Sequence, residues 1–286
     1  MVRQAHHEPN TCGGPVLPTK YSCIPARPEP VEGAPSGPLG RALEGSVSSP
    51  EPSPYGCLYG VGVGPGDPEL LTLKGLRVLQ RVPIICVPQS EMRQESYALN
   101  IVRGFLDLSK QEILRIRFPT DDAEGAAEVW RAAAATIAER LQQGGDVAFI
   151  TEGDPMLYST FSYVLEGITS EYPEIAVEII PGVSSVMAAA ARAGVPLVAH
   201  GQRLAILPAV YGIDDLREAI VHYNTIVLMK VNRTLLSALA HLERLGLAGK
   251  AIYVRRATTP REQVVRDLQQ LSDDDLDYFS LLIIRR

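Results

Sequence analysis

Short apolar runs alternate along the chain with longer segments in which leucine and alanine recur at helical spacing. In the first half, the runs of strand length stand at 58–63, 83–87, 112–118, 146–150 and 176–180. The segments with helical spacing stand at 68–80, 97–105, 126–143 and 157–171. This alternation is typical of parallel strands joined by crossover helices. It predicts an α/β fold in which a mostly parallel sheet carries helices on both faces.

The second half of the chain continues this pattern less strictly. Its strand patterns stand at 204–207, 225–231 and 251–254, and its helix patterns at 185–193, 216–222 and 235–245. Two last strand patterns, at 263–268 and 279–284, lie close together in sequence, which predicts a mixed sheet. The length of 286 residues fits two α/β domains. We place them at 56–187 and 188–286, with a boundary near 181–195.

Residues 1–55 differ in composition from the rest of the chain. Residues 1–54 hold 11 of the 22 prolines, with glycine, serine and glutamate between them. Proline fixes φ and removes a hydrogen-bond donor, so such a segment pairs poorly as helix or strand. We expect a disordered Pro/Gly/Ser-rich extension. It lacks the continuous apolar core of a secretory signal peptide, so we expect a cytoplasmic protein.

The charge and cysteine content disfavour several classes of function. The chain has 27 Lys and Arg against 33 Asp and Glu, a net charge of −6, so no basic surface for nucleic acid is expected. No apolar stretch reaches the ~18–20 residues that span a bilayer, so we expect no membrane association. The four cysteines form no Cys-x-x-Cys pair, and we expect no metal site.

The densest motif is a glycine cluster directly after the first strand pattern, Gly60-Val-Gly-Val-Gly-Pro-Gly-Asp67. A dinucleotide-binding loop needs Gly-x-Gly-x-x-Gly, and every register of this cluster fails at the third glycine. A Walker A loop needs Gly-Lys-Ser/Thr, which this segment lacks. What remains is a turn whose backbone can approach a ligand closely, or a simple tight turn.

Two further glycine turns follow strand patterns: Thr151-Glu-Gly-Asp-Pro-Met-Leu-Tyr158 and Ile180-Pro-Gly-Val-Ser-Ser185. Taken alone, each could simply start a helix, with Asp154 and Ser184 as the capping residues. Ligands of parallel α/β sheets bind at the carboxyl ends of the strands, and all three turns stand at such ends. We therefore expect the turns to form the floor of a site for a nucleoside-like cofactor.

At these three turns the sequence resembles the tetrapyrrole (corrin and porphyrin) methyltransferases. The matching segments are 61–74, 153–158 and 181–185. Segments 203–209, 225–231 and 278–283, and the strand end 87–90, resemble the branch that methylates precorrin-2 at C(20). The resemblance covers roughly residues 57–285. It implies two α/β domains of the class III methyltransferase type, S-adenosylmethionine bound in the cleft between them, and a homodimer.

The resemblance also implies roles for individual residues. The cofactor would contact Pro65, Glu152, Gly153, Asp154, Leu157, Ser184, Ser185, Met229 and Ala257. Met229 could equally be a core residue of a buried strand, since methionine commonly fills core gaps. Tyr158 is the candidate catalytic residue facing the substrate, although an aromatic at this position could also be packing.

A tetrapyrrole substrate carries several carboxylates, which require arginines and lysines around the cleft. The candidates are Arg93, Arg115, Arg117, Arg203, Lys230, Arg233, Arg255 and Arg256. Lys230 and Arg233 gain weight because they follow a strand that should reach the cleft. We predict these two residues, together with Arg203, as the substrate-binding cations.

The resemblance implies methylation of precorrin-2, or of its cobalt complex, at C(20) in cobalamin biosynthesis. The uroporphyrinogen branch carries Tyr-Asp-Arg where this chain has 87–90, which argues against that substrate. No residue decides between the metal-free and the cobalt-bound acceptor. Two alternatives stay open: the same fold acting on another tetrapyrrole position, and a non-catalytic nucleoside-binding module that regulates a partner.

Overall fold

The computed structural model describes residues 54–90, 96–118, 126–208, 213–231, 235–272, 275 and 277–286. The proline-rich extension lies outside these residues, apart from its last two positions. Within the described ranges, no helix combines the length and the apolar character needed to cross a bilayer.

Five parallel strands form the first sheet: β1 (Leu58–Gly62), β2 (Ile84–Ser90), β3 (Glu112–Phe118), β4 (Val147–Thr151) and β5 (Val177–Ile180). Their order in the sheet is β3-β2-β4-β1-β5. The helices that connect them are α1 (Leu73–Arg81), α2 (Tyr97–Val102), α3 (Ala126–Gln142) and α4 (Phe161–Glu171). The parallel sheet predicted from the β/α alternation is thereby confirmed.

Helices cover both faces of the first sheet, as predicted. On one face, α3 and α4 bury Ile137, Leu141 and Phe161 against the strands. On the other face, α1 and α2 bury Leu79 and Val102. Strands buried on both faces read as nearly continuous apolar runs, and β1 and β4 are accordingly buried along their whole length.

Two predicted helices begin later than their apolar spacing suggested. The segment 68–80 divides into a 3-10 turn, Pro68–Leu70, and α1, because the Thr72 hydroxyl accepts the Gly75 N–H and starts a new helix. The helix predicted from residue 157 begins at Phe161. The residues in between stay in a loop, and Tyr158 has a left-handed backbone, with φ of 50°.

The second sheet contains β6 (Leu204–Pro208), β7 (Thr225–Met229), β8 (Ala251–Arg255), β9 (Gln263–Val265) and β10 (Ser280–Arg285). Its order is β6-β7-β10-β8-β9. Only β6 and β7 run parallel, and the other pairs are antiparallel, so the sheet is mixed as predicted. Its helices are α5 (Ser185–Ala193), α6 (Ile213–His222) and α7 (Leu235–Arg244).

Helix α5 connects the two sheets in sequence but packs with the second one. Its Val186 and Ala189 share a buried cluster with Val227 and Val254 of the second sheet. By packing, the second unit therefore begins with α5 at Ser185, a few residues before the boundary predicted at 187/188. This placement brings the first turn of α5 to the junction between the two sheets.

Candidate functional site

The sheet order explains why the three glycine turns meet. Strand β1 lies between β4 and β5, and the three strands are parallel, so the turns that follow them are neighbours at the carboxyl ends of the strands. Gly153 donates its N–H to the Gly64 carbonyl at 2.8 Å, which pairs the first two turns. A Cβ added at Gly182 would lie 2.1 Å from the Gly153 oxygen and 2.8 Å from the Gly62 Cα. The three backbones therefore approach as closely as only glycine allows.

Asp154 joins the second turn to the third. One of its carboxylate oxygens accepts the Met156 N–H at 2.9 Å, and the other accepts the Gly182 N–H at 3.0 Å. The N-cap residue of α4 is Thr160, and the hydroxyl of the residue before it, Ser159, accepts the Phe161 N–H. The alternative in which Asp154 only caps the following helix is therefore wrong, because its carboxylate holds two turns together.

A cleft opens above the three turns, between the two sheets, and holds about 870 Å³ of space including its open mouth. Its walls contain all nine residues predicted to contact the cofactor, together with Tyr158 and Lys230. The remaining lining residues are Tyr97, Thr151, Ser159, Thr160, Arg256, Tyr278, Phe279, Ser280 and Leu281. A concave site between two domains, lined by apolar side chains and a few polar groups, is typical of small-molecule sites.

Serines at the start of α5 give the cleft polar groups. The Ser184 hydroxyl accepts the Met187 N–H, so it caps the helix and keeps its own hydrogen free to donate. Ser185 is the first residue of the helix, where backbone N–H groups point outward and suit an anionic or polar ligand group. Met229 is only 8% exposed and packs in the core while also lining the cleft, so both readings of this residue hold.

Tyr158 and Lys230 form one contact between the two domains. The Tyr158 hydroxyl donates to the Ile206 carbonyl of β6 at 2.9 Å. The Lys230 ammonium donates to the Tyr158 carbonyl at 3.2 Å and lies 5.5 Å from the centre of the Tyr278 ring. The Tyr158 hydroxyl is thus already engaged with a backbone carbonyl, which is the geometry of a positioning contact rather than of a proton acceptor.

Left-handed backbone is concentrated at this cleft. In the described part of the chain, the non-glycine residues with positive φ are Tyr158, Lys230, Arg256 and Thr258. The first three line the cleft, and Thr258 follows the lining residue Ala257. Such conformations cost free energy and persist where surrounding contacts enforce them, which occurs most often at functional sites.

An aromatic contact closes one side of the cleft. Tyr97 of α2 stacks on Phe279 with ring centres 4.2 Å apart, and its hydroxyl donates to the Pro65 carbonyl at 3.4 Å. Burial raises the pKa of Tyr97, and Arg256 offsets part of that increase. The Arg256 guanidinium pairs with Asp277 at 2.6 Å. Segment 278–283 contains Phe279, but no sequence pattern predicted its contact with Tyr97, because the two residues lie in distant segments of the chain.

The predicted cations separate into three groups. Lys230 and Arg256 line the cleft, whereas Arg93 and the predicted substrate-binding Arg233 lie outside the described residues. Arg115 and Arg117 are exposed on β3, at the edge of the first sheet, and Arg255 lies 3.5 Å from Asp275. Among those of these cations that the structure describes, Lys230 and Arg256 are the ones that the fold brings to the cleft.

Arg203 is not brought to the cleft, contrary to its predicted role. Residue Leu204 pairs with Thr225 and Pro208 pairs with Met229, so Arg203 precedes β6 at the opposite end of the strands from Met229. Its backbone N–H donates to the Asn224 side chain at 2.9 Å, and its side chain is exposed. The parallel direction of β6 and β7 is what separates Arg203 from the site.

A family model described as "Tetrapyrrole (Corrin/Porphyrin) Methylases" matches residues 57–271. The chain belongs to this family. The match begins just before β1 and includes the three glycine turns and the second sheet as far as β9. The family membership inferred from the glycine turns is confirmed.

Relatives with assigned activities align over nearly their whole length. A cobalt-precorrin-2 C(20)-methyltransferase of Salmonella typhimurium is 37% identical over 81% of this chain and 97% of its own. A precorrin-2 C(20)-methyltransferase of a Sinorhizobium species is 31% identical over 80% of this chain and 95% of its own. A crystal structure of uroporphyrin-III C-methyltransferase from Thermus thermophilus, complexed with S-adenyl homocysteine, aligns with a TM-score of 0.58 and 25% identity. That alignment covers 81% of this chain and 98% of the other.

Proposed function

We propose that this protein transfers a methyl group from S-adenosylmethionine to C(20) of precorrin-2, or of its cobalt complex, in cobalamin biosynthesis. The observation that carries the proposal is the single cleft in which all nine residues matched to the family's cofactor site come together. The relatives named for this reaction, which align over nearly their full lengths, support the choice of substrate.

The residues of the cleft fit S-adenosylmethionine. The Ser184 and Ser185 hydroxyls suit ribose or adenine edges, and the Glu152 carboxylate suits an ammonium or ribose group. Leu157 and Met229 supply apolar walls. The bound cofactor supplies a methyl group on a sulfonium, which a nucleophilic carbon can attack in line. The close glycine turns allow backbone to lie directly against such a ligand.

The protein's contribution to the reaction is alignment and exclusion of water. C(20) of the reduced tetrapyrrole is itself nucleophilic, so the chain need not provide a nucleophile. Alignment of two reactants can supply up to ~7–11 kcal/mol of the barrier. Tyr158 and Lys230, held in left-handed conformations between the domains, would fix the width of the cleft where the two reactants meet.

Lys230 is the cation in the cleft best placed to bind a substrate carboxylate. Arg256 is paired with Asp277, whereas within the described residues no carboxylate forms an ion pair with Lys230. Its ammonium group contacts a carbonyl oxygen and an aromatic ring instead. A substrate carboxylate that binds there would therefore pair with a positive charge that no protein carboxylate neutralises. Arg233, two residues beyond the end of the described segment, is kept as a second candidate from the sequence alone.

We also propose that the protein acts in the cytoplasm as a homodimer, without binding nucleic acid or membranes. The net charge of −6 supports the lack of nucleic-acid binding. The homodimer rests on the family resemblance. Light scattering on the purified protein measures the oligomeric state directly, and a monomer at micromolar concentration would remove the dimer from the proposal.

The direct test is an anaerobic incubation of the protein with labelled S-adenosylmethionine and precorrin-2, with and without cobalt inserted. One methyl group gained at C(20) by either acceptor is the expected result, and the preferred acceptor assigns the substrate. Cofactor binding with no methyl transfer to either acceptor would refute the proposed substrate and leave a regulatory module or another tetrapyrrole.

A variant pair tests the carboxylate site. Lys230→Gln should raise the KM for the tetrapyrrole about tenfold, since a charge-assisted contact is worth ~1.5–3 kcal/mol, while the KM for S-adenosylmethionine changes little. Lys250→Gln is the matched control, because Lys250 is exposed in the 3-10 turn before β8, away from the cleft. Equal effects of the two substitutions would contradict the role of Lys230.

A further inference from the structure

The segment after β8 presents Ala257 to the cleft between two residues with left-handed backbone. Arg256 has φ of 47° and Thr258 has φ of 69°. A β-branched residue is rarely found in this conformation, because its Cβ substituents crowd the backbone. Thr258 lies next to the cofactor-lining Ala257, so whatever holds its φ positive also sets the position of the cleft wall.

Glu262 makes the contacts that hold Thr258. One carboxylate oxygen accepts the Thr258 N–H at 2.6 Å. The same carboxylate pairs with the Arg192 guanidinium at 2.8 Å, and the Glu262 side chain is only 15% exposed. A charged acceptor that is shielded from water forms a stronger hydrogen bond than a neutral or fully exposed one.

The contacts of Glu262 reach three parts of the cleft wall. Arg192 lies in the last turn of α5, the helix that Ser184 caps and Ser185 begins. Thr258 in turn accepts the Asp67 N–H with its hydroxyl at 3.1 Å, and Asp67 ends the first glycine turn. One carboxylate thus connects α5, the Ala257 segment and, through Thr258, a turn of the first domain.

We propose that Glu262 is a positioning residue of the cofactor pocket, which fixes the left-handed conformation of Thr258 and thereby the place of Ala257. This inference rests on the proposed function only in taking S-adenosylmethionine as the ligand. Without the carboxylate, Thr258 relaxes toward negative φ and moves Ala257, while the two sheets keep their cores. The consequence is weaker cofactor binding in a folded protein.

The test is calorimetric titration with S-adenosylhomocysteine, which needs no methyl acceptor. Glu262→Ala should weaken binding about tenfold, the loss typical of a charge-assisted hydrogen bond. Glu262→Gln should stay within about threefold of the unaltered protein, because its amide oxygen can still accept the Thr258 N–H. The control is Glu112→Gln, which breaks an ion pair with Arg140 remote from the cleft and should leave binding unchanged.

A second background tests the conformational cause. Glycine adopts positive φ freely, so residue 258 in the Thr258→Gly variant needs no carboxylate to hold its conformation. Adding Glu262→Ala to that variant should therefore weaken S-adenosylhomocysteine binding by less than about threefold. Kinetically, Glu262→Ala should raise the KM for S-adenosylmethionine more than it lowers kcat. A purely structural role would lower the melting temperature and leave the affinity and KM of the folded fraction unchanged.

Three results would overturn the proposal. Unchanged affinity in folded Glu262→Ala is the first. A tenfold loss of affinity in Glu262→Gln is the second. This measurement also tests the proposal if the alanine variant does not fold. An undiminished effect in the Thr258→Gly background is the third. Failure of the unaltered protein to bind S-adenosylhomocysteine would instead refute the cofactor assignment, whereas binding without methylation of precorrin-2 would refute only the acceptor.

Discussion

Replacing Gly182 with alanine should disrupt the cofactor site, although Gly182 is not among the residues that line the cleft. The effect would come from displacement of the glycine turns. The new Cβ would stand 2.1 Å from the Gly153 oxygen, although Cβ atoms essentially never come within 3.0 Å of a heavy atom outside their own residue and its chain neighbours. The obstacle is backbone on both sides, from Gly153 and Gly62, so no side chain can swing away. The turns must separate by roughly 1 Å, and overpacking of this kind costs about 3 kcal/mol.

Two measurements test this substitution, one for the loss of stability and one for the loss of cofactor affinity. Urea unfolding reports stability, with the fluorescence of the one tryptophan as a probe, since Trp130 stacks between Phe118 and Tyr163 and packs against the core of the first domain. Titration with S-adenosylhomocysteine reports the pocket. A displacement of about 1 Å at a binding site can cost up to ~100-fold in activity, so we expect at least tenfold weaker binding.

The matched control is Gly104→Ala. No heavy atom lies within 4 Å of a Cβ added there, and Gly104 is not among the glycines with positive φ. Its replacement should change the free energy of unfolding by less than about 1 kcal/mol. Equal stability and equal affinity of the Gly182 and Gly104 variants would refute the close meeting of the three turns.

Three further predictions concern single side chains at the cleft. Asp154→Asn should weaken S-adenosylhomocysteine binding about tenfold, because an amide offers one acceptor oxygen where the carboxylate serves two backbone N–H groups; calorimetry that shows no change would contradict this. Tyr158→Phe should lower kcat less than tenfold, since the hydroxyl only positions a strand, whereas a catalytic base would cost ~100-fold or more. Burial raises the pKa of Tyr97, so the folded protein retains that proton after the unfolded chain loses it, and stability should fall as pH rises above about 10. Tyr97→Phe should flatten this part of the stability–pH curve measured by urea unfolding, and an unchanged curve would argue against the buried hydroxyl.

Local sequence patterns determined most of the secondary structure. The strand at 112–118 and the helix at 185–193 begin and end where their patterns predicted. Apolar alternation and helical spacing are set by residues near one another in the chain, so they survive without knowledge of the fold. The glycine turns were equally visible, because glycine after a buried strand marks close approach of backbone. Their resemblance to the tetrapyrrole methyltransferases, a family confirmed by the family match, predicted the nine cofactor-contacting residues, and the cleft brings these nine together.

The tertiary structure alone decided how these parts are arranged. It placed the last strand, β10, between β7 and β8, and it set β6 parallel to β7, which removed Arg203 from the cleft.

The tertiary structure also decided that Asp154 connects two turns and does not only cap a helix. It brought Glu262 into contact with Thr258 and Arg192. Apart from the hydrogen bond between Glu262 and Thr258, these features join residues that are distant in sequence. The free energy that selects them comes from packing and hydrogen bonds between segments that are far apart in the chain, which no local pattern encodes.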